Sequence, residues 1–129
     1  MIEPQWLSPR ALLAMHDETL AAHGGLPGLR DPGALDSALS RAPNLFEYDQ
    51  GDLFDLAAAY AGGIVKNHPF ADGNKRAAFL ASYVFLTING YELEASEPDV
   101  VVTVFALAAG ELSEESFAAW LRAHAVKMS

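Results

Sequence analysis

Residues 52–90 read DLFDLAAAYAGGIVKNHPFADGNKRAAFLASYVFLTING, and this stretch decides the fold. Asp52 is a helix N-cap residue, and behind it Leu53, Leu56, Ala57, Tyr60 and Ile64 recur at helical spacing. The run predicts a helix that stops near Asn67, because Pro69 disfavours helical geometry at the residue before it. A second helix is predicted from near Asn74 to Asn89-Gly90, where Gly supplies the stop. Both segments are rich in Ala, which lets helix axes approach closely. Between them lie nine residues, His68 to Arg76, whose polarity is out of place between two apolar helices.

The flanking sequence carries the same punctuation. Ser8-Pro9 is an N-cap followed by Pro at the first helical position, Leu12, Leu13, His16 and Leu20 then share a face, and Gly24-Gly25 ends the run. Asp31-Pro32 repeats that start, with Leu35, Ala38 and Leu39 inward and a stop before Pro43. Asn44 to Gly51 reads as a loop or small hairpin. Tyr91–Leu93 reads as a short extended piece, Ser96 opens a fifth helix ending at Gly110, and Ser113 opens a sixth with Phe117, Trp120 and Leu121 inward. Strand-like alternation is nearly absent. The expectation is an all-α, compact six-helix domain spanning residues 1–129, with at most a small β-hairpin.

Composition narrows the function classes. The chain has 129 residues, 51% of them hydrophobic and 19% charged, which excludes intrinsic disorder. Its net charge of −9 makes it a poor general binder of nucleic-acid backbone and leaves no basic face for a membrane surface. Cys is absent, so disulfide staples and thiolate chemistry are excluded. The first residues, MIEPQWLSPR, do not read as a signal peptide, and no apolar run reaches the roughly 18 residues of a membrane span. The expected location is the cytoplasm.

The polar stretch His68-Pro69-Phe70-Ala71-Asp72-Gly73-Asn74-Lys75-Arg76 reads as an anion site. A helix start presents unpaired N–H groups and positive partial charge. Gly73 permits close backbone approach to a phosphate, and Asn74 adds an amide donor. Lys75 and Arg76 place two cations where the helix macrodipole disfavours them, a cost that a bound anion removes. Asp72 is a hard carboxylate suited to Mg2+ shared with phosphate oxygens. His68 is the histidine of the stretch, and imidazole is the side chain suited to proton transfer near neutral pH, so it is the candidate general base. Pro69 and Phe70 point inward as anchors. Lys66 is close enough in sequence to reach a phosphate. These residues by themselves give a phosphate site with a base and a metal carboxylate, and no reaction.

The stretch resembles the core motif of the Fic/Doc family, His-Pro-Phe-x-Asp/Glu-Gly-Asn followed by basic residues. Beyond the motif, His16-Asp17, the Gly24-Gly25-Leu26-Pro27-Gly28-Leu29 loop, Asp31-Pro32-Gly33 and Ala108-Ala109-Gly110-Glu111 are similar to the Doc, or death-on-curing toxin, branch. The resemblance covers nearly the whole chain. It implies that His68 deprotonates a hydroxyl of a protein target, that Asp72 holds Mg2+ on the phosphates of ATP, and that Gly73 and Asn74 form the anion hole. It further implies that Lys75 and Arg76 neutralise phosphate charge and that Phe70 anchors the loop.

Where Fic adenylyltransferases continue Gly-Asn-Gly-Arg with a second Arg three positions on, this chain has Lys75 and Phe79. Doc-branch chains share the Lys, and the resemblance to them implies a protein kinase. It would transfer the γ-phosphate of ATP to a threonine of elongation factor Tu and so stop translation. Gly73 is shared with the adenylyltransferases, and adenylylation is the alternative. No Glu is followed by Gly or Asn, so the family's self-inhibitory helix is not expected, and inhibition is expected from a Phd-like antitoxin. A non-catalytic antitoxin-binding module and a metallohydrolase using His68 and Asp72 are weaker readings.

Other residues read more plainly. His16 is expected to be packed or capping, His23 and His124 to sit at helix ends, and Phe117 and Trp120 to belong to the core. By its order along the chain, Asn44–Gly51 corresponds to the family's target-docking flap.

Overall fold

The computed structural model describes residues 2–48 and 51–128. Its elements run α1 Pro9–His23, α2 Pro32–Glu47, α3 Leu53–Asn67, α4 Asn74–Ile88, β1 Tyr91–Leu93, α5 Glu97–Ala108, α6 Glu114–His124 and β2 Ala125–Lys127. Among the described residues the fold is therefore six helices and one two-stranded sheet, the all-α architecture expected.

Helix α3 is the hub. Every residue from Leu56 to Val65 is buried, so the helix is covered on all sides, by α2, α4 and α6 in particular. Close packing needs small residues at the crossings. A Cβ added at Gly63 would lie 3.0 Å from the Cα and carbonyl oxygen of Ala38, so α2 and α3 meet almost backbone to backbone there. Ala57, Ala61, Ala77, Ala78 and Ala81 are fully buried in the same core. Polar groups inside it are paired: Ser82 Oγ donates to the Ala57 carbonyl at 2.7 Å, and Tyr60 Oη accepts the Leu7 N–H at 3.3 Å. Burial pushes the Tyr60 hydroxyl pKa up from its ordinary value, while the Leu7 hydrogen bond acts in the opposite direction. Arg41 of α2 donates to the Ala59 carbonyl of α3 at 2.8 Å and to Glu114 of α6 at 3.1 Å, tying three helices together.

The expected start signals hold. Ser8, Asp31, Asp52, Ser96 and Ser113 each cap a helix through the side chain. One stop does not. Helix α2 does not end before Pro43 but runs through it to Glu47, and the expected loop or hairpin at Asn44–Gly51 is helical over its first four residues. Asp49 and Gln50 lie outside the described residues. Pro43 removes one helical hydrogen bond, but continuing the helix buries Ala42 and packs Leu45 and Phe46 on the core. The Phe46 ring meets Trp6 edge-on at 5.6 Å. That packing outweighs the local rule. The sheet lies elsewhere: β1, expected as an extended piece, pairs antiparallel with the C-terminal β2, Leu93 opposite Ala125 and Tyr91 opposite Lys127. Three residues are too few for alternation to mark β2 in advance.

Candidate active site

The loop His68–Gly73 joins the two central helices, and its shape follows from what it buries. Pro69 and Phe70 are both fully buried. The Phe70 ring stacks on His16 of α1, centroids 3.8 Å apart and planes 22° apart. The side-chain amide of Asn74 grips the Phe70 backbone in both directions, Oδ1 accepting the Phe70 N–H at 2.9 Å and Nδ2 donating to the Phe70 carbonyl at 3.1 Å. Asn74 was expected to offer that amide to a phosphate. Its oxygen and one of its two Nδ2 hydrogens hold the loop closed around Phe70, and the second hydrogen is engaged by neither bond.

A second loop, between α1 and α2, braces the first. Leu29 and Phe70 form an antiparallel bridge, Ala71 N–H donates to the Gly28 carbonyl at 3.0 Å, and Arg30 N–H donates to the Pro69 carbonyl at 2.8 Å. Buried His16 sits 2.8 Å through Nε2 from the Asp72 carbonyl oxygen. A carbonyl only accepts, so Nε2 carries the proton. The Asp72 carboxylate accepts the Gly73 N–H at 2.8 Å through Oδ1 and the Leu26 N–H at 3.3 Å through Oδ2.

His68 is exposed and is the C-cap of α3, at φ 48°, ψ 57°. Left-handed backbone in a side-chain-bearing residue costs about 1–3 kcal/mol and persists only where surrounding contacts enforce it. Gly73 caps α4 at φ 76°, ψ 24°, and no side chain bonds the first turn of that helix. The first turn holds no acid. It presents exposed Lys75 and Arg76 instead, and the Lys75 Nζ lies 4.9 Å above the centroid of the Phe105 ring on α5. Among the described residues neither cation is ion-paired.

His68, Asp72, Gly73, Asn74, Lys75 and Arg76 all line one cleft of about 780 Å³. Its other walls are mostly apolar, with Phe79 and Tyr83 from α4 facing Val101, Val104 and Phe105 from α5, and His23 and Glu97 as the polar exceptions. The cleft therefore has a cationic end, where helix N–H groups are unclaimed, and a greasy, aromatic-lined end. That division suits a ligand with a polyanionic part and a planar apolar part. Asp72 is exposed, and each of its oxygens retains lone-pair capacity beyond the one N–H it accepts. No cluster of three metal-ligating side chains occurs among the described residues. This donor set fits Mg2+ that takes most of its ligands from phosphate and water.

Lys66 is exposed in the last turn of α3, and is not among the residues lining the cleft. His16 is packed, as expected, and the packing is against the loop itself. His23, expected only as a helix-end residue, lines the cleft as well. Sequence reasoning missed Arg30, the Leu26 N–H and the α5 wall. The glycines at 24, 25 and 28 signalled a turn, but nothing in the sequence marked it as the brace of a site 40 residues on.

A family and two characterised proteins match this chain. Residues 6–86 match the Fic/DOC family. The chain is 36% identical over 117 residues to the protein kinase Doc of Escherichia phage P1, covering 90% of this chain and 92% of that protein. It is 43% identical over 77 residues to the toxin Doc of Mycolicibacterium smegmatis, covering 57% of this chain and 58% of that protein.

Proposed function

This chain belongs to the Fic/Doc family, and from that premise we propose that it is a Doc-like toxin, a protein kinase that moves the γ-phosphate of ATP to a protein hydroxyl. The observation that carries the reading is the single cleft in which an exposed imidazole, His68, shares walls with an uncapped helix start bearing Lys75 and Arg76. In this reading the target hydroxyl oxygen forms a bond to the γ-phosphorus as the bond from that phosphorus to the β,γ-bridging oxygen breaks. ADP leaves, and His68 takes the hydroxyl proton. The backbone N–H groups of the first turn of α4, with Lys75 and Arg76, stabilise charge on the phosphate oxygens, and the helix holds those N–H groups in place beforehand. Mg2+ held by Asp72 would supply further charge neutralisation there. Phe70 and Asn74 keep the loop in shape, and the Phe79–Tyr83 wall receives the base of the nucleotide.

The acceptor we propose is a threonine of elongation factor Tu, with translation arrest as the outcome and a Phd-like antitoxin as the inhibitor in trans. The relative named protein kinase Doc, aligned over nearly its full length, supports both the kinase reading and one Fic/Doc domain across residues 1–129. No described helix is long and apolar enough to cross a membrane, in keeping with a target in the cytoplasm. Lys66, off the cleft walls, is assigned at most a distant electrostatic part.

Parallel incubation of elongation factor Tu with γ-labelled and α-labelled ATP tests the reading. Incorporation of the γ-label with a one-phosphate mass gain is expected. Incorporation of the α-label replaces the kinase with an adenylyltransferase, and no incorporation of either removes the proposed transfer to that target. Gly73 has a local role under either reading: its φ of 76° suits glycine, and a Cβ there would lie 3.1 Å from His16 Nε2.

A further inference from the structure

His68 is the one described residue other than glycine with positive φ, and the group that holds it there lies outside the motif. Arg30, in the brace loop, donates from Nε to the His68 carbonyl and from Nη2 to the Asn67 carbonyl, both at 2.7 Å. These two carbonyls belong to the two peptide planes that flank the His68 Cα. The rotations of those planes about that Cα are φ and ψ of His68. A rigid, planar guanidinium bonded to both planes therefore fixes both angles at once, and with them the direction of the His68 Cβ. The Arg30 main chain is itself fixed, its N–H on the Pro69 carbonyl at 2.8 Å, and the next residue, Asp31, caps α2. A cation at the C-terminus of α3 is also favoured by the helix macrodipole, and the clamp satisfies carbonyls that the helix end leaves open. Arg30 has no carboxylate partner among the described residues, so its directed bonds all go to this backbone.

We infer that Arg30 is a positioning residue, which sets the imidazole of His68 by locking the backbone that carries it. The inference rests on the kinase reading for its catalytic half, and on the backbone geometry alone for its structural half. It is tested in the full chain with Arg30→Gln and Arg30→Lys, using γ-labelled ATP and elongation factor Tu. A catalytic group displaced by about 1 Å loses on the order of 10²-fold in rate. Arg30→Gln is expected to lower kcat by about 10- to 100-fold while KM for ATP stays within about twofold, because the anion site on α4 is untouched. Arg30→Lys is expected to fall between, since an ammonium cannot fork across two planes.

Two readouts separate positioning from mere stabilisation. The NMR Cα and Cβ shifts of His68 should leave left-handed values in Arg30→Gln. In a His68→Ala background, Arg30→Gln should cost no further activity. Arg122→Gln, on α6 against Asp52 at the far end of α3, should lower stability with kcat unchanged. Unmoved His68 shifts, an unchanged kcat, or an equal loss in the His68→Ala background would each overturn the inference. If the unmodified chain transfers no phosphate to the factor, the kinase reading fails separately, and the His68 shifts alone then decide whether the clamp exists.

Discussion

The two central helices begin in opposite ways. Helix α3 starts with Asp52, whose carboxylate accepts the N–H groups of Phe54 and Asp55 at 3.0 Å each, while Asp55 returns a bond to the Asp52 N–H at 2.9 Å. An acid occupies its first turn, and Arg122 of α6 makes a two-pronged contact with Asp52 at 2.9–3.1 Å. Helix α4 starts with Gly73, has no side-chain cap and no acid, and places Lys75 and Arg76 at its positive pole. Every rule obeyed at the first start is broken at the second, in neighbouring elements of similar length and core environment. The first start satisfies its own N–H groups and charge internally. The second is left open to be completed by an anion, and the missing stabilisation marks the site.

The largest test of this contrast removes the base beside the open start. His68→Ala should lower phosphate transfer by at least the 10²–10⁴-fold that a general base contributes, and abolish growth arrest at matched expression. Thermal stability should hold, because the imidazole is exposed and the packing of buried Pro69 and Phe70 is untouched. Growth arrest by a well-expressed His68→Ala protein would break the mechanism.

A sharper test changes sign between stability and activity. Arg76→Glu gives α4 the first-turn acid that α3 has. Removing an unfavourable charge and adding a favourable one, each worth about 0.3–1 kcal/mol at a helix start, should raise the melting temperature by a few degrees. The same change should cut transfer by about 10²-fold or more, since it sets a negative charge against the phosphates. A variant that loses activity together with stability would show that Arg76 supports the fold, and the contrast between the two starts would lose its meaning.

At the closed start the expectation reverses. Asp52→Ala should lower stability by about 0.5–2 kcal/mol, the usual worth of a cap, and leave kcat unchanged. Chemical denaturation with a parallel labelling assay reads both quantities.

Much of this was legible before any coordinates. Helix starts were readable because a cap is a local event: Ser8-Pro9, Asp31-Pro32, Asp52, Ser96 and Ser113 each announce themselves within four residues. The motif was readable because cations at a helix start violate a local rule. Long-range balances were not legible. Pro43 stays helical because Phe46 finds Trp6, which lies 40 residues away in the chain. That the Asn74 amide also grips the Phe70 backbone was not legible, because that partner is chosen by how the loop folds. Arg30 gave no signal, since an arginine that serves backbone carbonyls looks in sequence like any solvated one.

The smallest effect isolates charge from hydrogen bonding at the closed start. Burial pushes the Asp52 carboxyl pKa up, but the Asp55 N–H and the Arg122 guanidinium together outweigh it and hold the group below its ordinary value. A carboxyl whose folded pKa is depressed contributes stability that is present above its unfolded pKa, about 3.9, and is lost as pH falls through the folded value. Asp52→Asn keeps an oxygen that can cap as well as Asp does, and loses the charge. Both partners are about half exposed, with 45% and 49% of their side-chain surfaces accessible, so solvent screening holds the pair to about 0.2–1 kcal/mol. The unmodified protein should therefore exceed Asp52→Asn by that margin at pH 7. The gap should shrink as pH drops below about 4, and also in 1 M salt, where the screening length falls to about 3 Å. Urea midpoints across pH 3–7 measure it. A gap that persists unchanged at the lowest pH at which both proteins remain folded would show that Asp52 acts through hydrogen-bond geometry alone, and that charge plays no part in how α3 begins.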